Sequence, residues 1–436
     1  MLLCRMYSAN ISRVALLDRA AKSSRLTQQP RKGLAGRWSA IVHYRAGRLH
    51  AVPSRTSILS GVSLDRYGAM GILELAMRRR DRAACIMMLA VGVAVCSSVV
   101  LAQNPTIPDG PATAPSQLTL PVTWEYGSPL ITPDERADGP SYIHKDPSVV
   151  FCSGAWHVFM TVKMEGMSAT EYCRFDRWEN ADKAPRTILR ISDSKYYCAP
   201  QVFYFTPHKK WYLIYQMGVP GAKKMWVAYS TTDTIADPTS WTKAKPILDG
   251  GENDPRQEGG LDYWIICDDQ RAYLFLTSLN GKMWRLWTKL EDFPNGFGHC
   301  ELALRAEIFE ASHTYKLKGL NKYLTIVEEN GRRYYKAYAA DRLDGRWTPL
   351  ADTAGRPFAG WKNIRPAAGV SAWTDNISHG ELIRDGYDQT LTVDPNDLRL
   401  IFQGMLDTEK AGKGYGRFSW RIGMLTPVSG QDRPRR

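Results

Sequence analysis

Three acidic residues stand at the start of apolar, strand-like segments that recur along the chain. Asp146 precedes the segment PSVVF, Asp262 precedes YWII, and Glu310 opens EASHTY. Carboxyl groups brought close together in one cavity repel and desolvate one another. Their pKa values then differ, which suits them to general acid–base chemistry. The alternative is that acids at strand starts are solvated or cap a turn. Three acids at comparable places in repeated units favour the catalytic interpretation.

Five copies of one unit carry these acids. Each copy is an apolar strand rich in Val, Ile, Tyr, Phe and Trp, a short turn, and a second apolar strand, a pattern typical of β-hairpins. The copies begin 48 to 69 residues apart, and further short strand-like segments lie between them. The copies are residues 146–162, 199–216, 261–278, 309–328 and 378–403.

Repeats of this length with about four strands each are typical of propeller blades. No helical period is sustained over several turns, which disfavours α/β folds. The sequence therefore predicts an all-β fold, a five-bladed β-propeller that forms a single domain over 119–428, with a pair of β-sandwiches as the alternative. The first strand of each propeller blade lines the central channel, so the residues that open the strands meet at one mouth: Asp146, 199–201, Asp262, Glu310 and His379.

The charge of the chain is confined to its N-terminal part. The formal net charge is +13, but residues 1–102 hold 16 Lys+Arg against 4 Asp+Glu, while residues 103–436 hold 41 against 40. The nearly neutral body excludes a polyanion-binding protein, and we expect no nucleic-acid partner. The hydrophobic fraction of 44% excludes global disorder.

A secretory signal peptide is predicted at 77–102. Arg78, Arg79, Arg80 and Arg82 precede eighteen uncharged residues that end at a Val-Leu-Ala junction before Gln103. An uncleaved membrane anchor is the alternative. We predict a secreted or periplasmic protein with a non-structural or mis-assigned extension at 1–76, a Pro-rich linker at 103–118 and a tail at 429–436.

Five cysteines fall in the exported body, at positions 152, 173, 198, 267 and 300. No CxxC pair is present, so a zinc ribbon or a thioredoxin motif is unsupported. Mostly buried thiols with at most one or two bridges are expected.

The body resembles the α-L-arabinofuranosidases of glycoside hydrolase family 62, five-bladed propellers related to family 43. Matching segments cover nearly all of 140–427 in the family's order. They are HKDPS (144–148), CAPQVFYF (198–205), WYLIYQ (211–216), LDYWIICDD (261–269), IFEASHTYKLKGLNKYLTIVE (308–328), RWTP (346–349), WTDNISHGELIR (373–384), DQTLTVDP (388–395) and RIGMLT (421–426).

The resemblance implies a role for each matching residue. Asp146 corresponds to the family's general base, Glu310 to its general acid, and Asp262 to the aspartate that orients the site and tunes the acid's pKa. Substrate-binding positions match Lys145, Gln201 and Tyr415. His379 matches a histidine near a central Ca²⁺, so a channel calcium ion is implied.

The implied activity is that of an inverting exo-glycosidase that releases terminal α-L-arabinofuranosyl groups from arabinoxylan or related hemicellulose, acting as a monomer on its polysaccharide partner. Two alternatives stay open: a family 43-like hydrolase of arabinan or xylosides, and a non-catalytic carbohydrate-binding propeller. Departures from the family pattern are Met217, Asn396, an acid-rich loop at 249–260 and a charged segment at 163–195 that reads as an insertion. They concern the groove walls and hence the choice of polymer.

Overall fold

The computed structural model describes residues 118–136, 139–222, 225–248 and 259–428, all within one unit of the chain. The predicted signal peptide, the extension before it, the tail and all but the last residue of the linker lie outside the described residues, as does most of the 249–260 loop. Among the described residues, no helix is long and apolar enough to cross a membrane.

Short strands of alternating or wholly apolar character build five sheets. A first strand, β1 (Trp124–Tyr126), precedes the first blade. Blade 1 consists of β2 (Ile143–Cys152), β3 (Ala155–Met164), β4 (Met167–Phe175) and β5 (Arg186–Ile188). Blade 2 consists of β6 (Tyr197–Phe205), β7 (Lys210–Met217), β8 (Trp226–Thr232) and β9 (Lys245–Pro246). Blade 3 consists of β10 (Leu261–Cys267), β11 (Arg271–Thr277), β12 (Lys282–Lys289) and β13 (His299–Arg305).

The last two blades exchange strands with their surroundings. Blade 4 contains β14 (Glu310–Leu317), β15 (Tyr323–Glu329), β16 (Tyr334–Ala340), β17 (Thr348–Thr353) and β18 (Arg356–Pro357). The short strand β19 (Ile364–Pro366) leads to blade 5, which contains β20 (Asn376–Leu382), β22 (Leu400–Met405) and β23 (Arg421–Pro427). Between β20 and β22, the strand β21 (Thr392–Val393) pairs parallel with β14 of blade 4.

The two ends of the described chain close the ring. Strand β1 pairs antiparallel with the C-terminal β23 and parallel with β19, so the fifth sheet has the order β19-β1-β23-β22-β20. This closure pairs Glu125 with Thr426 and leaves each blade flanked by two others. The five-bladed propeller predicted from the repeats is confirmed.

Residues 163–195 are not an insertion. They contain β4, β5 and a short 3-10 helix, Trp178–Lys183, and therefore form the outer half of blade 1. Their charge misled the sequence interpretation because β4 is buried although it carries a charged residue, Glu171, which pairs with Arg136 and His144. Other short 3-10 helices are Thr206–His208, Leu290–Asp292, Asp407–Lys410 and Tyr415–Arg417.

Aromatic and aliphatic side chains fill the space between neighbouring blades. Trp264 and Phe275 are at most 1% exposed, and burial of each such side chain stabilises the fold by about 1.5–3 kcal/mol. Two glycines make room for Trp373, because a Cβ on Gly423 would lie 2.6 Å, and one on Gly404 3.0 Å, from its ring. The five cysteines of the body form no disulfide bond with one another in the part of the chain that the structure describes.

Candidate active site

A β-bulge recurs in the inner strand of every blade and shapes the channel mouth. Strand pairing shifts register at 145/148, 198/201, 261/264, 310/313 and 378/381. In four of these bulges the first bulged residue has a positive φ. These residues are Asp146 (52°), Ala199 (51°), Asp262 (57°) and Ala311 (55°). Such a conformation costs a non-glycine residue roughly 1–2 kcal/mol, and strain of this kind concentrates at functional sites.

The bulges define which residues of the five blades are equivalent. Asp146 and Asp262 occupy the same position, which His379 fills in blade 5. Glu310 lies one residue earlier and is equivalent to Lys145. The prediction that all three acids open their strands at one equivalent place is therefore wrong for Glu310, because its blade carries Ala311 at the bulged position.

The acids predicted from the repeats come together around His379. Its Nδ1 atom lies 3.3 Å from Oδ1 of Asp146 and 3.6 Å from Oδ2 of Asp262. The same Oδ2 accepts the main-chain N–H of Ala311 at 3.0 Å, and Ala311 directly follows Glu310. The four polar side chains of this cluster, those of Asp146, Asp262, Glu310 and His379, are each at most 7% exposed.

Two residues that the sequence analysis missed hold the third acid. Nη1 of Arg333 lies 2.5 Å from Oε1 of Glu310 and also donates to Oε1 of Glu328. Glu328, fully buried, further accepts hydrogen bonds from the Ser378 hydroxyl and from the main-chain N–H of His379. A signal for Glu328 existed, since it ends the second apolar strand of its unit as Gln216 and Gln403 do. Arg333, in the turn after β15, had none.

Burial and charge separate the protonation states of the cluster. Burial, together with the negative charges of Glu310 and Asp146, raises the pKa of Asp262 well above its usual range. Burial also raises the pKa of Glu328 to about 7, although Arg333 opposes the rise. Burial, aided by Lys145 and Arg333, lowers the pKa of His379 to about 3, so this imidazole is neutral between the two aspartates.

Lys145 lies beside Asp146, and Tyr415 lies against Lys145. Nζ of Lys145 is 3.3 Å from Oδ2 of Asp146 and 5.7 Å from the centre of the Tyr415 ring. Burial lowers the pKa of Lys145, but the neighbouring acidic groups, Asp146 first among them, together outweigh it and the pKa is raised. Burial raises the pKa of Tyr415 to about 12, so its hydroxyl stays protonated and can donate to a ligand oxygen.

Gln201 takes a different place from the one the resemblance implies. Its Nε2 donates to the carbonyl of Ile265, and its Oε1 accepts from the N–H of the same residue, both at 2.7 Å. The side chain is 1% exposed. Gln201 thus clamps blade 2 to blade 3, and the geometry gives no support to a sugar contact.

The side chains around His379 do not form a ligand set for calcium by themselves. Within the described part of the chain, no three His, Cys, Asp or Glu side chains converge in a metal-binding group. Calcium takes six to eight oxygen ligands, whereas here two carboxylates already face a neutral imidazole and Lys145. The acid–base chemistry of these residues does not require a metal.

A cavity of about 250 Å³ lies between the residues that flank Tyr415 and the β3–β4 turn. Arg417 stacks on the ring of Tyr142 at 3.9 Å and pairs with Glu165 at 2.6 Å. The wall next to Tyr415 is therefore charged and aromatic, a surface suited to hydroxyl-rich ligands.

The arrangement can perform acid–base chemistry. Buried carboxyl groups in different surroundings supply one acid and one base at the same pH, and a protonated lysine and tyrosine beside them can orient a neutral polar ligand. Such a pair of carboxyl groups is what hydrolysis of a glycosidic bond requires.

Comparison with known proteins agrees with this chemistry. The model of Glycosyl hydrolase family 62 matches residues 136–426. Alpha-L-arabinofuranosidase C of Cellvibrio japonicus (strain Ueda107) is 38% identical over 319 residues, which cover 71% of this chain and 48% of that protein. The chain thus spans about half the length of this relative.

Two solved structures resemble the fold over nearly their whole length. The catalytic domain of a Coprinopsis cinerea GH62 alpha-L-arabinofuranosidase has a TM-score of 0.64 at 35% identity, covering 70% of this chain and 97% of that one. A GH62 hydrolase in complex with xylotriose has a TM-score of 0.63 at 33% identity, covering 70% and 97%. With the family's model matched over most of the propeller, the chain belongs to Glycosyl hydrolase family 62.

Proposed function

We propose that the protein is an α-L-arabinofuranosidase that removes terminal α-L-arabinofuranosyl groups from arabinoxylan or a related hemicellulose. The observation that carries the proposal is the convergence of Asp146, Asp262 and Glu310 at one mouth of a family 62 propeller, with His379 within 3.6 Å of both aspartates. Two of the similar proteins carry this activity in their names, and the bound xylotriose of a third supports a xylan backbone as the carrier of the arabinose.

In the proposed reaction, Glu310 acts as the general acid. The carboxyl oxygen of Glu310 that Arg333 does not engage is proposed to carry the proton that passes to the glycosidic oxygen as the bond to the anomeric carbon breaks. Asp146 takes a proton from a water molecule, whose oxygen bonds to the anomeric carbon from the opposite face. The attack inverts the configuration, and inverting enzymes hold such carboxyl groups about 6.5–9.5 Å apart.

The surrounding groups support these two roles. Nζ of Lys145 lies 3.3 Å from Oδ2 of Asp146, the proposed base. Asp262 has a raised pKa, so it is the carboxyl group that holds a proton but does not transfer it in the reaction. It lies between His379 and the main chain of Ala311. Tyr415 and Lys145 would contact the arabinose hydroxyl groups.

Substitution of the two catalytic acids tests the proposal. In Glu310→Gln the sugar alcohol must leave unprotonated, so hydrolysis of arabinoxylan should fall by about 10²–10⁴-fold, while aryl arabinosides with good leaving groups should keep far more activity. Asp146→Asn should impair both substrates equally, because both need the activated water. Equal losses in folded Glu310→Gln on the two substrates would exclude Glu310 as the acid.

Two product analyses settle the finer points. NMR of the first-formed sugar should reveal the β-anomer, and an α-anomer would exclude inversion. The sugar released from arabinoxylan, arabinan and xylo-oligosaccharides distinguishes the three substrate classes. A binding propeller without catalysis would lack one of the three acids, and this chain has all of them.

We also propose that the protein is exported and acts as a monomer on its polysaccharide. The support is the basic stub followed by eighteen uncharged residues at 85–102. A calcium ion near His379, implied by the family resemblance, is proposed only as an ion held largely by water molecules, since the surrounding side chains supply few ligands.

A further inference from the structure

The bulged residue of every inner strand donates its main-chain N–H to a side-chain oxygen. We call the side chains that accept these hydrogen bonds the bulge caps. They are Gln403 for Asp146 (2.8 Å), Thr161 for Ala199 (2.9 Å), Gln216 for Asp262 (3.2 Å), Asp262 for Ala311 (3.0 Å) and Glu328 for His379 (2.8 Å).

Four of the five bulge caps occupy the same structural position. Each lies on the second strand of its blade, paired with the residue that precedes the bulge, and each reaches across to the next blade in the ring. The pairs are Lys145 with Thr161, Cys198 with Gln216, Glu310 with Glu328 and Ser378 with Gln403. At four of the five blade junctions, a cap on one blade therefore accepts a hydrogen bond from the main chain of the next blade's inner strand.

The exception is the junction between blades 3 and 4. Its equivalent residue is Thr277, which pairs with Leu261. The buried hydroxyl of Thr277 has no hydrogen-bond partner among the described residues. The N–H of Ala311 is instead bonded to the carboxylate of Asp262, so one of the site acids replaces the missing cap.

We propose that three of the bulge caps, Gln403, Gln216 and Asp262, are positioning residues for the acids of the site. Gln403 sets the main chain of Asp146, Gln216 sets that of Asp262, and Asp262 in turn sets the main chain beside Glu310. The inference rests on the proposed function, since it assumes that Asp146 and Glu310 are the base and the acid.

The physical reason is the strain at each bulge. A positive φ at Asp146 and Asp262 persists only where the surroundings hold it, and a buried N–H without a partner is unfavourable. Without its cap, the bulge relaxes and its carboxylate moves. Displacement of a reacting group by about 1 Å can lower the rate by about 10²-fold.

A matched pair of cap substitutions tests the inference. Gln403→Met removes the cap of Asp146, and Thr161→Val removes the cap of Ala199, which carries no reactive group. Both variants should lose thermal stability, but only Gln403→Met should lose kcat, by about 10-fold to 10²-fold, with KM for an aryl arabinoside little changed. Gln403→Glu, which keeps an acceptor oxygen, should regain part of the lost kcat.

A second substitution works in the opposite direction. Thr277→Gln introduces at the exceptional junction the side chain that caps blades 1 and 3, so it should take the N–H of Ala311 and release Asp262, lowering kcat. Thr277→Val only removes the unpartnered hydroxyl and should leave kcat unchanged. If Thr277→Gln does not fold, the comparison of Gln403→Met with Thr161→Val tests the inference by itself.

Asp146→Asn, measured in parallel, separates the two proposals. If this variant keeps full activity, the proposed function is wrong. If it is inactive while Gln403→Met and Thr161→Val have the same kcat, the positioning role of the caps is wrong and the proposed function stands.

Discussion

Replacement of Glu328 by glutamine should make the protein more stable in alkaline solution and change nothing in acid. Glu328 is fully buried between Arg333 and the main chain of His379. Its pKa is raised from 4.5 to about 7, by burial first and then by the charge of Glu310. Glutamine resembles the protonated carboxyl group and keeps an acceptor oxygen for Ser378 and His379.

The sign and size follow from proton linkage. Because the folded pKa lies above the unfolded value, the folded state holds the extra proton, so stability is fully present below pH 4.5 and is lost as the pH rises through 7. A difference of about 2.5 pH units corresponds to about 3 kcal/mol of unfolding free energy. Glu328→Gln should match the wild type near pH 4 and exceed its stability by about 3 kcal/mol near pH 8.5.

Urea unfolding followed by tryptophan fluorescence at several pH values measures this difference. Glu291→Gln serves as the control. The Glu291 side chain is 75% exposed, and within the described residues its ion pair is with Lys289. That variant should follow the wild type at every pH. A constant difference between Glu328→Gln and wild type across the range, or a loss of stability at pH 8.5, would refute the reasoning.

The remaining predictions concern the calcium ion and export. If calcium binds near His379, a chelator should lower the melting temperature and added Ca²⁺ should restore it, whereas a chelator-insensitive protein without bound metal by elemental analysis would exclude the ion. Protein secreted from a host that recognises the signal should begin near Gln103, which N-terminal sequencing measures. A mature chain that begins at Met1 would contradict both the signal peptide and the interpretation of residues 1–76.

The propeller could be predicted because each blade is encoded locally. Apolar runs such as 211–216 and 271–277 are separated by short turns, and a hairpin needs only neighbouring residues to form. The acids Asp146 and Asp262 were found in the same way, since each stands at the start of a first strand. The outer strands of blade 1 were missed because β4 buries polar side chains, Thr170 and Glu171 among them, and these interrupt an apolar pattern.

The site depended on contacts that no local pattern carries. Arg333, in the turn after β15, pairs with Glu310, 23 residues away. The amide of Gln201 is bonded to the main chain of Ile265, 64 residues away. Sequence analysis placed Glu310 at the same strand position as the other acids, whereas it lies one residue earlier. The bulge position is defined by the partner strand, which the sequence does not identify.

By itself, the sequence determined the strands, their fivefold repetition, the three acids and the family resemblance, because these depend on the types and spacing of neighbouring residues. Only the tertiary structure decided the ring closure by β1, the neutral His379 between two aspartates, and the bulge caps. The bond from Asp146 to Gln403 joins residues 257 positions apart and exists only once blade 5 lies against blade 1. The pKa values of Asp262 and Glu328 likewise follow from burial among charges that the closed ring alone brings together.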